Sequence, residues 1–237
     1  MACKLASMAA PTVTRMVLGA LLQPAAVALV LCYPPGTLAW PRAWALVAIF
    51  FVATVASMAL LARTSPELLA ARFAPPIQQG QPRADRIAVL FFIPAFVGAI
   101  RFIPYDVFAL QWLPPPPFAA AAAGLALVIA GWAIVTWAMH ANAFAIPVVK
   151  GQEDRGQRVV DRGPYAIVRH PMYAGIALVL IGMPLWLGST AGALVALVPI
   201  AILAVRIGIE ERFLRRELAG YDAYAARVRA RLVPGVW

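Results

Sequence analysis

Six long apolar runs, separated by polar and proline-rich segments, constrain the fold of this chain more than any other feature. They lie at residues 16–33, 43–62, 87–104, 118–140, 172–188 and 191–209. Each is near the roughly 20 residues that a helix needs to cross a bilayer. The runs are continuously apolar, whereas strands of a membrane barrel alternate apolar and polar residues. With 63% hydrophobic and 13% charged residues, the sequence predicts an all-α protein, a polytopic transmembrane helical bundle of five to six spans.

The cationic residues gather on one side of this layout. If both termini lie on the same side, all of the 20 Lys and Arg residues except Arg42 and Arg101 fall on that face. The positive-inside rule then predicts that this face and both termini are cytoplasmic. Topology and contact with anionic membrane lipid explain the net charge of +10, so no nucleic-acid partner is expected. The Ala-rich, Arg-over-Lys composition indicates a bacterial protein, and we expect it in the inner membrane.

The two cysteines, Cys3 and Cys32, are too few for a disulfide framework or a CxxC site, and no metal site is predicted. The first apolar run follows Lys4 and Arg15 and resembles a secretory signal. It is long, however, and lacks a convincing small-residue cleavage site, so we expect it to remain as a span.

The predicted connections differ between the two faces. Three short, stiff turns are expected on the outer side: "YPPGTLAWP" at 33–41, "LPPPPF" at 113–118 and "LGSTAG" at 187–192. The last of them predicts a tight helical hairpin of the final two spans. On the other side, Ser65 and Pro66 in "RTSPELLAARFAPP" at 63–76 are typical of a helix start. This segment is either a short helix on the membrane interface or a solvated linker with one helical turn.

A polar segment, "RGPYAIVRHPMYAG" at 162–175, precedes the fifth run. Pro171 suits the first position of a helix, so the fifth span is predicted to begin there with His170 at its cap. Free N–H groups at that helix start, next to Arg169, would form an anion site for a carboxylate or phosphate. The alternative is that Arg169 and His170 only anchor the helix among lipid headgroups.

A second polar segment, "RIGIEERFLRRE" at 206–217, ends the sixth run. In a hairpin, Arg206, Glu210 and Glu211 return to the membrane depth of Arg169. Two neighbouring acids at a bilayer edge are costly unless they are paired or used. An anion site that faces an acidic site suits a zwitterionic ligand, with its carboxylate at the helix start and its ammonium at a glutamate. Ion pairs within the helix alone are the other interpretation.

The two segments together carry a resemblance to a known family. "GPYAIVRHPMYAG" and then "RIGIEERFLRRELAGYDAYAARVRARLVPGVW" resemble the isoprenylcysteine carboxyl methyltransferase and phospholipid methyltransferase superfamily over about residues 140–237. The resemblance implies an integral membrane methyltransferase that binds S-adenosyl-L-methionine from the cytosol and takes a lipophilic substrate from the bilayer. It places a cofactor-binding module with a cytoplasmic loop, the helical hairpin and a C-terminal tail at 141–237. The N-terminal transmembrane helices at 1–140 carry no comparable signature, and their apolarity alone motivates the hypothesis that they form a lipid-side substrate entrance.

The resemblance also implies roles for individual residues. The implied cofactor-binding residues are Tyr165, Arg169, His170, Pro171, Tyr173, Gly175, Glu210, Glu211, Tyr221 and Tyr224. Arg206 would orient a substrate headgroup, and Glu211 would join it in catalysis. The tail toward Pro234 would close over the adenosine, and Asn142 and His140 would add contacts. For His140, a residue at the interfacial end of the fourth span is the equal alternative.

The acceptor stays open at this point. A carboxylate, a thiol or a lipid amine would each fit, and the fifth span lacks the polar Thr-Gln pair associated with eukaryotic prenylcysteine enzymes. The R-H-x-x-Y element also resembles sterol-type reductases, so an NADPH-dependent membrane reductase is the alternative. A non-catalytic scaffold or channel is a third interpretation. Walker, GxGxxG and Gly-x-Ser-x-Gly motifs are missing from the sequence, and the oligomeric state is left open.

Overall fold

A computed structural model describes residues 13–33 and 36–237 of the chain, and over these residues the structure is helical without strands. The helices are α1 (Val13–Cys32), α2 (Pro41–Thr64), α3 (Pro66–Arg72), α4 (Arg83–Tyr105), α5 (Phe118–Ala141), α6 (Pro171–Leu187), α7 (Thr190–Val195), α8 (Leu197–Glu217) and α9 (Tyr221–Arg227). The predicted all-α class is therefore confirmed for the described residues. The predictions for Cys3 and Lys4 lie outside them.

The long helices coincide with the six apolar runs. Within the described part of the chain, four segments are long and apolar enough to cross a membrane: Pro41–Thr64, Arg83–Leu110, Phe118–Ala141 and Thr190–Glu217. Helix α6 is apolar but has only 17 residues, and the apolar part of α1 covers Leu21–Cys32. At about 1.5 Å per residue, α6 spans about 25 Å, less than the roughly 30 Å of a hydrocarbon core. The protein is an integral membrane protein whose helix positions match the predicted spans.

Helices α5 and α6 approach each other backbone to backbone. Gly124 and Gly131 on α5 face Gly182 and Gly175 on α6, so each helix presents two glycines seven residues apart. A Cβ added at Gly131 would lie 2.5 Å from the carbonyl oxygen of Gly175. Small residues let membrane helices pack closely, because association there depends on van der Waals contact. This contact fixes the N-terminus of α6 relative to the end of α5.

Gly131→Ala is therefore expected to lower the thermal stability of the protein in detergent. The new methyl group would meet α6 backbone at 2.5 Å, and overpacking of this kind costs roughly 1–3 kcal/mol. Gly98→Ala is the matched control, because Gly98 lies within the span of α4 with nothing within 4 Å of an added Cβ. Alanine favours a helix over glycine, so the control should leave the melting temperature unchanged or raise it. Equal melting temperatures for the two variants would contradict the contact.

Helix α3 confirms the predicted helical turn after Ser65. Pro66 is its first residue, although the Ser65 side chain makes no capping hydrogen bond. Leu68 and Leu69 are buried against Leu61 of α2 and other apolar residues near the end of α5. The helix thus packs against protein and is not a solvated linker.

A buried carboxylate holds one end of the bundle together. Asp106, in a π-helical turn (Asp106–Leu110) after α4, accepts hydrogen bonds from Ser189 Oγ at 2.6 Å and from the Trp112 amide at 3.0 Å. The predicted hairpin turn lies here, with Gly188 at φ 99° and Ser189 capping α7 through the Gly192 amide. This end carries all three predicted short connections. Sequence analysis did not identify Asp106.

The longer connections meet at the opposite end, which we call the basic end. Arg72 of α3 donates to the carbonyl of Ala145, and the amide of Val149 donates to Asp85 in the first turn of α4. The side chain of Arg169 reaches the segment after α9. All the residues of the two predicted polar segments lie at this end.

Candidate functional site

The start of α6 follows the sequence prediction. His170 is the N-cap residue and Pro171 the first helical residue. The backbone before the helix is held by the C-terminal segment: the Arg169 amide donates to Ala230 O at 3.0 Å, and the His170 amide donates to Arg231 O at 2.9 Å. The tail thus fixes the segment that precedes α6, and the first-turn amide groups of α6 stay without intrahelical partners.

Glu211 is the centre of a buried ionic network next to the N-terminus of α6. Its Oε1 accepts from Arg169 Nε at 2.7 Å and lies 3.3 Å from His170 Nε2, and its Oε2 accepts from Arg231 Nε at 3.1 Å. Arg169 Nη1 also donates to the carbonyls of Val228 and Arg229. The acidic pair of α8 is therefore linked to α6 and the tail, and the interpretation of ion pairs within one helix only is wrong.

A cavity of about 540 Å³, including space open to solvent, lies at the N-terminus of α6. It is lined by Phe144, Ala145, Ile146, Val148, Val149, Lys150, Gln152, Gln157, Tyr165, Arg169, His170, Pro171, Met172, Tyr173, Glu210, Phe213 and Leu214. Six of the ten predicted cofactor residues line it.

Glu210 lines the cavity and is hydrogen-bonded to a residue of α6. Tyr173 Oη donates to Glu210 Oε2 at 2.6 Å. The Tyr173 ring is parallel to the His170 ring, with centroids 5.6 Å apart, and the Arg206 guanidinium lies 5.7 Å from the Tyr173 centroid. The two predicted polar segments therefore do face each other across the hairpin.

Four predicted cofactor residues do not line the cavity. Gly175 faces Gly131 in the α5–α6 contact, and Glu211 lies in the ionic network outside the cavity lining. Tyr224 Oη donates to Tyr165 O at 2.8 Å and so supports a residue of the cavity wall. Tyr221 is buried beside Tyr224, and its hydroxyl has no partner among the described residues. The predicted direct cofactor contacts of these four stay predictions.

The two additional predicted contacts also lie outside the cavity. His140 faces α2, with Nδ1 3.4 Å from Thr64 Oγ1. Asn142 Oδ1 accepts from the Phe144 amide at 2.9 Å and so shapes the turn that brings Phe144 to the wall.

Arg206 has a buried carboxylate partner that sequence analysis missed. Arg206 Nε donates to Asp85 Oδ1 at 2.7 Å, and its Nη2 donates to Pro147 O at 2.6 Å. Asp85 Oδ2 accepts from Gln81 Nε2 at 2.6 Å and from the Val149 amide at 3.1 Å. This network fixes the cavity wall at 147–149. Asp85 could have been found as an acid at the edge of an apolar run, which needs a partner or a use. The predicted headgroup role of Arg206 stays a prediction.

Residues 150–157, later in the same connection between α5 and α6, form a further part of the wall, which the sequence analysis did not assign. Gln152 Nε2 donates to Phe144 O, and the Gln152 amide donates to Gln157 Oε1, both at 2.9 Å. These bonds fold the loop onto itself beside Lys150. No recognisable motif marks this loop in the sequence, so only its position near the polar segments could have indicated it.

The electrostatics of the cavity suit a zwitterion that carries an aromatic group. Lys150 and the α6 start supply positive potential, and Glu210 supplies a negative charge. Phe144, Tyr165 and Phe213 supply aromatic surface. Burial raises the pKa of Tyr165 well above its usual value, so this phenol stays neutral near pH 7.

Part of the chain is similar to a known family. The phospholipid methyltransferase family matches residues 119–219, which run from α5 to the sequence just after α8. No curated protein gives a significant match. Every residue that lines the cavity lies within the matched segment, whereas Asp85, Tyr221 and Tyr224 lie outside it.

The match confirms the resemblance that the motifs predicted, since this family is part of the isoprenylcysteine and phospholipid methyltransferase superfamily. Together with the four described helices that are long and apolar enough to cross a membrane, it indicates an integral membrane methyltransferase. Residues 119–219, which carry the hairpin and the cavity, match the phospholipid methyltransferase family.

Proposed function

We propose that this protein transfers a methyl group from S-adenosyl-L-methionine to a lipophilic acceptor that enters from the bilayer. The observation that carries the proposal is the cavity at the basic end, because all its lining residues fall within the family match and its charges suit a zwitterion. We also propose that the basic end faces the cytoplasm of a bacterial cell, on the positive-inside rule.

The residues of the cavity fit the proposed cofactor. Lys150, which forms no ion pair with a described residue, and the α6 start would hold its carboxylate. Glu210, already oriented by Tyr173, would hold its ammonium. The adenine would pack on aromatic residues such as Phe144 and Phe213.

Methyl transfer requires mainly that the protein position the donor and the acceptor. When bound, the cofactor supplies an activated methyl group, and alignment of donor and acceptor can lower the barrier by roughly 7–11 kcal/mol. A carboxylate or thiolate acceptor needs no strong general base, which agrees with a chain of only two histidines. Glu211 and Arg206 would act through Arg169, His170 and the 147–149 wall, which they hold in place.

Calorimetric titration of the purified protein in detergent with S-adenosylmethionine, S-adenosylhomocysteine and NADPH tests the proposal. We expect saturable binding of the first two and none of NADPH. Binding of NADPH alone would support a reductase instead. If a folded protein bound none of the three, the cavity would not be a nucleotide-cofactor site.

Glu210→Gln should weaken binding of S-adenosylmethionine by at least tenfold. The substitution removes the carboxylate charge that faces the cavity, and a hydrogen bond to a charged group is worth roughly 1.5–3 kcal/mol, where 1.4 kcal/mol is about tenfold. Glu217→Gln is the control, because Glu217 is an exposed acid on the same helix. Equal affinities for both variants would remove Glu210 from the site.

A further inference from the structure

A second cavity, distinct from the proposed cofactor cavity, lies between α1, α2, α3 and α5. Its volume is about 790 Å³, including open space. Its lining is mostly apolar, and the polar exceptions are Gln23, Thr54, Ser57, Trp132 and Arg72. Three of its four helices lie outside the family match, so nothing in that match assigns a role to it.

The uncharged polar groups of this cavity are paired with one another. Thr54 Oγ1 donates to Gln23 Oε1 at 3.2 Å, Trp132 Nε1 donates to Ser57 Oγ at 3.1 Å, and Ser57 Oγ lies 2.7 Å from Thr136 Oγ1. Pairing of this kind is what polar groups at membrane depth require. Among the described residues that line this cavity, Arg72 alone carries a formal charge.

Arg72 has no acidic partner among the described residues. Its Nη1 donates to the carbonyl of Ala145 at 3.2 Å, and no carboxylate of the described residues lies within 4 Å of its guanidinium. Residues 1–12 contain no Asp or Glu, and the nearby acid Glu67 faces Arg155. Burial lowers the pKa of Arg72, which reflects the cost of a desolvated cation. Such a charge is normally paired or used.

The two cavities are close neighbours. Ala145, which accepts the hydrogen bond from Arg72, lines the cofactor cavity. It belongs to one apolar cluster with Leu61, Leu69 and Met139, which line the second cavity. A ligand held by Arg72 would thus lie one layer of side chains from the cofactor cavity.

We propose that this cavity binds an amphipathic molecule with one anionic group, a carboxylate or a phosphate, which pairs with Arg72 while the hydrocarbon chain lies between α1, α2 and α5. A guanidinium binds either anion through two parallel hydrogen bonds. The apolar lining, with Met58, Val135 and Met139, suits an alkyl or isoprenoid chain. That the bound molecule is the methyl acceptor rests on the proposed function.

Titration of the purified protein in a nonionic detergent with oleate, lysophosphatidate and uncharged monoolein tests the proposal. At least one of the two anionic probes should bind saturably, and more tightly than monoolein. Preference for oleate would identify a carboxylate ligand, and preference for lysophosphatidate a phosphate. Equal affinities for all three probes would overturn the anion site.

Arg72→Gln should weaken binding of the preferred anionic probe by at least tenfold and leave monoolein unchanged. Arg72→Lys should retain part of the affinity, because it keeps the charge and loses the two-pronged geometry. Arg63→Gln is the control for general attraction of anions, since Arg63 is an exposed cation at the same end of α2. Equal losses in Arg63→Gln and Arg72→Gln would contradict a specific site.

Cofactor titration of the same variants separates this proposal from the proposed function. If S-adenosylmethionine binds Arg72→Gln as it binds the unchanged protein, the variant is folded and its loss of amphiphile is specific. Binding of the cofactor with no Arg72-dependent amphiphile would overturn this site alone. Arg72-dependent binding of an amphiphile without any cofactor binding would contradict the proposed methyltransferase function and support the anion site.

Discussion

Replacing Glu211 by glutamine is expected to destabilise the protein by about 3–5 kcal/mol, the cost of breaking a buried ion pair by removing one partner. Glu211 is 4% exposed and accepts from Arg169 and Arg231, with His170 3.3 Å away. Glutamine removes the charge that compensates Arg169, itself 8% exposed. Its amide group also presents donors where the carboxylate presented two acceptors.

Thermal unfolding in detergent, monitored by circular dichroism, measures this effect. Glu217→Gln is again the control, because an exposed acid on the same helix should change stability by less than about 0.5 kcal/mol. Limited proteolysis adds a local readout, since the C-terminal segment is bonded to Arg169 and His170 and should be cut faster in Glu211→Gln. A melting temperature equal to that of the control would show that the network does not hold the tail.

The helices could be predicted from local sequence, because their signals are local. Apolar length indicated the long helices, Pro171 marked the start of α6, and Gly188 with Ser189 marked the hairpin turn. The depth at which Arg169 meets Glu211 followed from hairpin geometry alone. Such features depend on residues close in sequence or on one connection, so no long-range information was needed.

The partners that come from distant helices could not be predicted in the same way. Asp85 pairs with Arg206 across 121 positions of sequence, and no spacing rule links them. Gly175 fits the family motif as a cofactor residue, yet the structure places it against Gly131 of α5, because two glycines seven residues apart on each helix allow the close approach. A motif gives the residue types at a site but does not distinguish contact from support.

Asp85→Asn is expected to destabilise the protein by about 3–5 kcal/mol and also to weaken cofactor binding, although Asp85 does not line the cavity. The Asp85 side chain is fully buried and is the only acid bonded to Arg206 among the described residues. Loss of its charge leaves the Arg206 guanidinium buried and uncompensated. It also loosens the wall at 147–149, which Arg206 holds through Pro147 O and Asp85 holds through the Val149 amide.

Asp222→Asn is the matched control, because Asp222 also pairs with an arginine, Arg215, but its side chain is 70% exposed. Exposed pairs contribute only about 0–1 kcal/mol, so this variant should keep both its melting temperature and its affinity for S-adenosylmethionine. If the two aspartate variants melted alike, the buried pair would contribute no more than a surface pair.

The double variant Asp85→Asn, Arg206→Gln separates the unpaired charge from the lost hydrogen bonds. If the uncompensated guanidinium is the main cost, removing it should make the double variant more stable than the sum of the two single changes implies, by about 0.5–3 kcal/mol. The affinity for the cofactor should not recover with the stability, because Pro147 O loses its hydrogen-bond donor in Arg206→Gln and in the double variant alike. Recovery of stability without recovery of affinity would identify Asp85 and Arg206 as positioning residues for the cavity wall, whereas full recovery of both would mean that only the balance of charge matters at this position.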